Sequence, residues 1–213
     1  MPIAIDNTDL VYFPVPKLAS SSLKSAIYEH NQTSSEKGLA HDEKRLRPYR
    51  VYPTTAFRPW YPVQYMRRRW FCVVRDPLER FLSGYVDRVE KRNDLKEVPA
   101  EILQREGLSV DPDLEEFIWK LQKYISVSPT TRHHFRPMHT YLGWFPGFYD
   151  RIFTVRQIAA LIDYVGETGV MLNVPHEKRS KRKIAVADLP PAARAKIEHH
   201  YRVDYRLYGR FVN

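Results

Sequence analysis

Apolar residues gather into three short runs, and each run is followed by a helical pattern. Residues 10–15 (LVYFPV) read as a strand with a proline near its end. A turn-like PKLASSS follows, after which Leu23, Ile27 and the aliphatic part of Lys24 share one side of a helix. Residues 70–75 (WFCVVR) form the clearest buried strand. Asp76 then suits an N-cap, Pro77 a first helical position, and Glu79 completes a capping box. Leu78, Phe81, Leu82, Tyr85, Val86 and Val89 recur at helical spacing, which carries that helix to about Arg92. Residues 151–155 (RIFTV) read as a third strand, with Ile158, Leu161, Ile162 and Val165 marking the helix behind it.

Two further helices are expected. One runs from about Pro112 to Tyr124 with Leu114, Phe117, Ile118 and Leu121 on its apolar face. The other starts near Pro190, with Ile197, Tyr201 and Tyr205 facing inward. Residues 32–69 are polar and aromatic with no long period, and residues 126–150 read as proline- and aromatic-rich loop. Residues 175–183 are a basic loop. Strands alternating with helices predict an α/β fold with a mainly parallel sheet. The 213 residues fit a single domain, 1–213, large enough to bury its own core.

Composition narrows this only slightly. Lys and Arg number 34 against 25 Asp and Glu, a net charge of +9 that suggests an anionic partner. The lone Cys72 lies inside the buried run and excludes an internal disulfide framework. No apolar stretch approaches the ~20 residues of a membrane helix. No charged segment followed by an apolar one opens the chain, so a soluble, cytoplasmic protein is expected.

The candidate chemistry sits where strands turn into helices. In Pro16-Lys17-Leu18-Ala19-Ser20-Ser21-Ser22, small residues let main-chain N–H groups approach a phosphate, and the helix dipole favours the anion. Lys17 adds a mobile charge. This is not a Walker A loop, whose lysine follows its glycines. A plain serine N-cap would read the same way. In Val73-Val74-Arg75-Asp76-Pro77-Leu78-Glu79-Arg80-Phe81-Leu82-Ser83, Arg75 leaves the carboxyl edge of a strand, where open α/β sheets bind ligands. Ser83 lies about two helical turns on, off the apolar stripe. A guanidinium and a hydroxyl so spaced could share one phosphate. A local ion pair at Arg75 and an exposed Ser83 are the alternative.

Together the two segments resemble the 3′-phosphoadenosine 5′-phosphosulfate (PAPS)-dependent sulfotransferases, especially their carbohydrate-modifying branch. The resemblance implies a P-loop-like three-layer fold. In that family a P-K-x-x-x-[ST]-S loop binds the 5′-phosphosulfate, and a V-R-D-P-x-x-R-x-x-S strand-helix binds the 3′-phosphate through its Arg and Ser. Three further stretches are similar to family patterns: His134-Phe135-Arg136-Pro137, the basic Lys178-Arg179-Ser180, and Tyr201-Arg202-Val203-Asp204-Tyr205. Val155-Arg156-Gln157 departs from the acidic residue the family often carries there.

The resemblance implies that Lys17 stabilises the leaving phosphate oxygen and that Ser20, Ser21 and Ser22 cradle the 5′ end. Arg75 and Ser83 would hold the 3′-phosphate, and Lys178, Arg179 and Ser180 would close over the nucleotide. It places the base between the two phosphate motifs. His41 is chosen, with Glu36 and Glu43 as rivals. His134 and Arg136 are candidates for touching the acceptor, a carbohydrate or another hydroxyl compound. His133 reads as the exposed neighbour, and His199-His200 as structural or solvent-facing. No metal is expected. Acceptor selectivity is assigned to residues 32–69 and 126–150, with the Arg67 to Arg69 run a possible anion contact. Two other classes remain open. A P-loop kinase fits the strand-loop-helix frame but lacks Gly-Lys-Ser/Thr. A nucleic-acid-binding protein fits the charge and Lys181-Arg182-Lys183, yet leaves Arg75 and Ser83 without a role.

Overall fold

A computed structural model describes residues 1–32, 47–175 and 184–212. Its centre is a four-stranded sheet in the order β1-β2-β3-β4, with β1 at Ile3–Ala4, β2 at Leu10–Phe13, β3 at Arg69–Val74 and β4 at Arg151–Thr154. β1 pairs antiparallel with β2, while β2, β3 and β4 run parallel. The predicted α/β class with a mainly parallel, helix-flanked sheet is therefore observed. β1 is too short to leave a periodic signal.

The chain forms two compact units. The first comprises residues 1–75, 138–178 and 207–213. Its central strand is apolar on both faces, with Trp70 to Val74 all buried, as a parallel strand covered on both sides requires. The pairing Tyr12↔Phe71 puts those rings together at 5.3 Å on one face. On the other face Phe13 stacks on Trp70 at 4.6 Å. Helix α1 (Ser20–Asn31) contributes Leu23, Ala26 and Ile27 to this core. The helix Ile158–Gly166 contributes Leu161, Tyr164 and Val165. Cys72 is wholly buried and burial pushes its thiol well up, so it packs as a small hydrophobe.

The amino edge of the sheet is tied by charge. Arg69 grips Asp9 with two bonds, of 2.7 and 2.9 Å, and Arg68 donates to the Thr8 carbonyl at 3.2 Å. Two members of the Arg67 to Arg69 run thus hold the start of β2 and β3. Of the run assigned to an anionic acceptor, Arg68 and Arg69 therefore have partners in the scaffold. Asp150 accepts from the Trp70 N–H at 2.8 Å and so fixes where β4 begins.

The second unit comprises residues 76–137 and 179–206. Helix α2 (Pro77–Gly84) starts as expected, with Asp76 accepting from the Glu79 N–H at 3.0 Å. It continues as a π-helix over Tyr85–Lys91. The amphipathic helix expected over 112–124 is broken at Lys120 into Leu114–Trp119 and Leu121–Val127. Residues 126–150 are not all loop: Pro129–Phe135 (α3) is helical, capped by Ser128, which accepts from the Thr131 N–H at 3.1 Å. That Ser-Pro start is a legible helix signal. The last predicted helix is likewise divided, into Pro191–His200 and Arg202–Tyr208.

One polar cluster organises this unit. Arg80 is 1% exposed and donates to the carbonyls of Arg136 at 2.8 Å and His134 at 3.1 Å. The Tyr201 hydroxyl donates to the Phe135 carbonyl at 2.8 Å, and a His200 ring nitrogen lies 3.2 Å from it. Gly84 admits the Phe135 ring, which would lie 3.2 Å from an added Cβ. Three stretches distant in sequence are thereby locked together. Removing a buried donor leaves its carbonyl desolvated and unpaired. Tyr201→Phe should therefore lower stability by about 1–2 kcal/mol, and Arg80→Met by about 3 kcal/mol. Chemical denaturation of the two variants beside the parent checks both values.

Candidate active site

The parallel register sets where the site lies. Phe13 is level with Cys72, so β2 and β3 end at the same carboxyl edge. The Pro16 to Ser22 segment leaves that edge after β2, and Arg75 leaves it after β3. The structure thus brings Lys17, Ser20, Ser21, Ser22 and Arg75 to one edge within the first unit, as a ligand crevice of an open parallel sheet requires.

The backbone of this segment is unusual for its residues. Lys17 has φ 70° and Ala19 has φ 55°, both left-handed without being glycine. Left-handed backbone interleaved with ordinary backbone turns successive N–H groups toward a common point, the geometry of anion-binding nests. Ala19 is the N-cap of α1 and offers no side-chain acceptor. No side chain caps the helix, so the plain serine-cap reading is not what the fold adopts. The first-turn N–H groups of Ser20 to Ser22 keep their donor capacity for a ligand. Non-glycine residues in this region cost roughly 1 kcal/mol each. Such strain is retained at sites that need the backbone shape.

In the second unit, Ser83 is half-buried on α2. His134 and Arg136 are half-buried at the end of α3, their carbonyls held by Arg80. His133 is half-buried beside His134, with ring centroids 5.0 Å apart, not an exposed neighbour. Sequence reasoning gave Arg80 no task, although its place inside the V-R-D-P-x-x-R pattern was the available signal. Asp204, 0% exposed, and Arg80 both act electrostatically on His200. Burial holds the His200 imidazole below its usual pKa, consistent with a structural place for it. His41, Glu36, Glu43, Lys178, Arg179, Ser180 and the Lys181 to Lys183 run lie outside the described residues.

Both stretches assigned to the acceptor meet in the first unit. The Phe57 N–H donates to the Thr140 carbonyl at 2.8 Å, and the Phe57 ring stacks on Phe148 at 6.2 Å and 9°. Gly143, at φ 81°, presents no Cβ to the Phe57 ring, which would lie 3.2 Å from one. These contacts leave a cleft of about 470 Å³ lined by Phe57, His139, Trp144, Phe145 and Phe148 among others. Trp144 is 62% exposed, with its ring 4.6 Å from His139. A wet aromatic face of this kind suits the apolar side of a sugar ring.

The Val155-Arg156-Gln157 stretch has its own local bond. The Gln157 side-chain oxygen accepts from the Thr154 N–H at 2.9 Å. No described helix is long and apolar enough to cross a membrane.

The strain at Ala19 is measurable. Ala19→Gly should raise unliganded stability by up to about 1 kcal/mol, because glycine adopts positive φ without cost, whereas Ala19→Val should lower it. Thermal unfolding of the two variants separates a left-handed from a right-handed backbone at this position.

A family model described as the sulfotransferase family matches residues 3–211. No curated protein and no solved structure matches the chain. The match takes in both edge segments, the Arg80 cluster and the terminal Tyr201 to Asp204 stretch, and it decides among the three open classes: the chain belongs to the sulfotransferase family and is a sulfotransferase.

Proposed function

We propose that the donor is 3′-phosphoadenosine 5′-phosphosulfate and that the acceptor is a hydroxyl of a carbohydrate or glycoconjugate. The observation that carries the donor is the left-handed Lys17–Ala19 backbone opening α1 at the sheet edge from which Arg75 also emerges. Main-chain N–H groups of Ser20 to Ser22 bind the 5′ end, and Lys17 faces the bridging oxygen. Arg75, with Ser83, takes the 3′-phosphate. Lys178, Arg179 and Ser180 close over the nucleotide. The aromatic cleft of the first unit supports the acceptor class, because Trp144 and His139 offer a stacking face.

In the reaction the acceptor oxygen attacks sulfur. A new S–O bond forms as the bond from sulfur to the bridging phosphate oxygen breaks, and that electron pair leaves with the 5′-phosphate. The hydroxyl proton passes to a base, for which His41 is proposed, with Glu36 and Glu43 as rivals. The leaving phosphate gains negative charge, and Lys17 and the Ser20 to Ser22 N–H groups stabilise it in place. No metal is assigned a step.

Adenosine 3′,5′-bisphosphate should stabilise the chain against heat, and ATP with magnesium should not. A ligand at 100 times its Kd adds about 2.7 kcal/mol. A response to ATP alone would sink the donor assignment. Lys17→Ala should cut kcat by roughly 10²–10³ with little change in melting temperature. Arg75→Ala should weaken bisphosphate binding by roughly tenfold or more while sparing adenosine 5′-phosphate. Trp144→Ala should raise KM for a saccharide acceptor and leave donor affinity alone, checked by steady-state kinetics with each substrate varied.

A further inference from the structure

Lys24 is the one buried lysine among the described residues, at 4% exposure. An ammonium brings three N–H donors and a full charge into that position. One donor is served by Thr54 Oγ1, 2.6 Å from Nζ. The Tyr49 ring lies beneath it, 5.8 Å to the centroid. No carboxylate among the described residues pairs with it, and two donors have no acceptor there. A buried, uncompensated charge is costly, and chains retain one where an anion is to arrive.

Two independent observations place this amine at the phosphate-binding end of α1. Helical side chains lean toward the N-terminus, so Lys24 covers the turn that begins at Ser20, four residues earlier. Separately, the pairing Ile3↔Tyr12 puts Met1 beyond the end of β2 from which the Pro16 to Ala19 segment departs. The Met1 nitrogen donates to the Pro53 carbonyl, next to Thr54, and lies within electrostatic reach of Lys24 and Arg58. The Thr54 bond thus holds the Lys24 amine beside the Met1–Pro53 contact, at that end of β2.

We infer that Lys24, steered by Thr54, is a second cation for the 5′-phosphate end of the sulfuryl donor, set beside Lys17. This rests on the donor proposed above. The arriving phosphate supplies the acceptors that Lys24 lacks. Burial lowers the Lys24 pKa to about 8 in the unliganded chain. The groups facing it among the described residues are the Thr54 hydroxyl, the Tyr49 ring and the Met1 nitrogen, none of them anionic at neutral pH. A phosphate would favour the charged form and raise that pKa again. Binding near pH 8.5 should therefore take up a proton at Lys24.

The test is calorimetric titration with adenosine 3′,5′-bisphosphate and with adenosine 3′-phosphate, which lacks the 5′ group. Lys24→Met should weaken the bisphosphate by about tenfold and leave the 3′-phosphate within about twofold. Repeating the titration at pH 8.5 in buffers of different ionisation enthalpy should show proton uptake in the parent and its loss in Lys24→Met. Thr54→Val, which removes only the steering hydroxyl, should weaken the bisphosphate in the same selective way and serves if Lys24→Met fails to fold. Equal losses for both nucleotides would make Lys24 merely structural, and no loss for either would remove it from the site. A parent chain that binds neither nucleotide would overturn the donor assignment itself, and this inference with it.

Discussion

The parallel pairing of β2 with β3 is the constraint on which the site depends. Its register makes Phe13 level with Cys72, and from that single alignment both the Lys17 segment and Arg75 reach the same edge. The alignment is protected from both ends. Inside, Tyr12 meets Phe71 and Phe13 meets Trp70, so a one-residue slip would exchange the two faces of rings. At the amino edge, the bidentate Arg69–Asp9 pair fixes the start. That pair is partly exposed, so its value lies in geometry more than in energy.

The second unit solves a different problem, that of holding irregular backbone. The His134 to Pro137 stretch leaves a helix and carries carbonyls that need donors. Arg80, Tyr201 and His200 meet them from two other helices. Arg80 suits this because its planar fork serves two carbonyls at once, whereas a lysine would offer a single point. The sequence pattern around Arg80 thus carries a scaffold role beside the ligand role proposed for Arg75 and Ser83.

The first unit accepts local cost at its functional end. Two non-glycine residues are left-handed, an N-terminal helical turn has no side-chain cap, and a lysine is buried with one hydroxyl for company. Each feature is locally unfavourable, and the donor proposed here would relieve each of them with the same negative charge. Their coincidence is more informative than any one of them, since unrelated packing accidents would not all ask for the same charge.

Much of this was legible in the sequence because it is written in local terms. The strand at 70–75, the Asp76-Pro77 helix start and the Lys17 and Arg75 segments each depend on neighbours a few residues away. Helix breaks at Lys120 and Tyr201 were not legible, because continuous apolar periodicity hides a kink that packing imposes. The two-residue β1 pairs only because β2 offers an edge. Arg68 and Arg69 read as free charge until the strand starts they tie were brought beside them. Lys24 read only as a residue whose stem lay on the apolar side of a helix. Hydrophobic periodicity determined the fold class, and the spacing of the Lys17 and Arg75 segments carried the family resemblance, because both signals run along the chain. Tertiary structure alone decided which cations are spent on the scaffold, because that choice depends on partners many residues away in sequence.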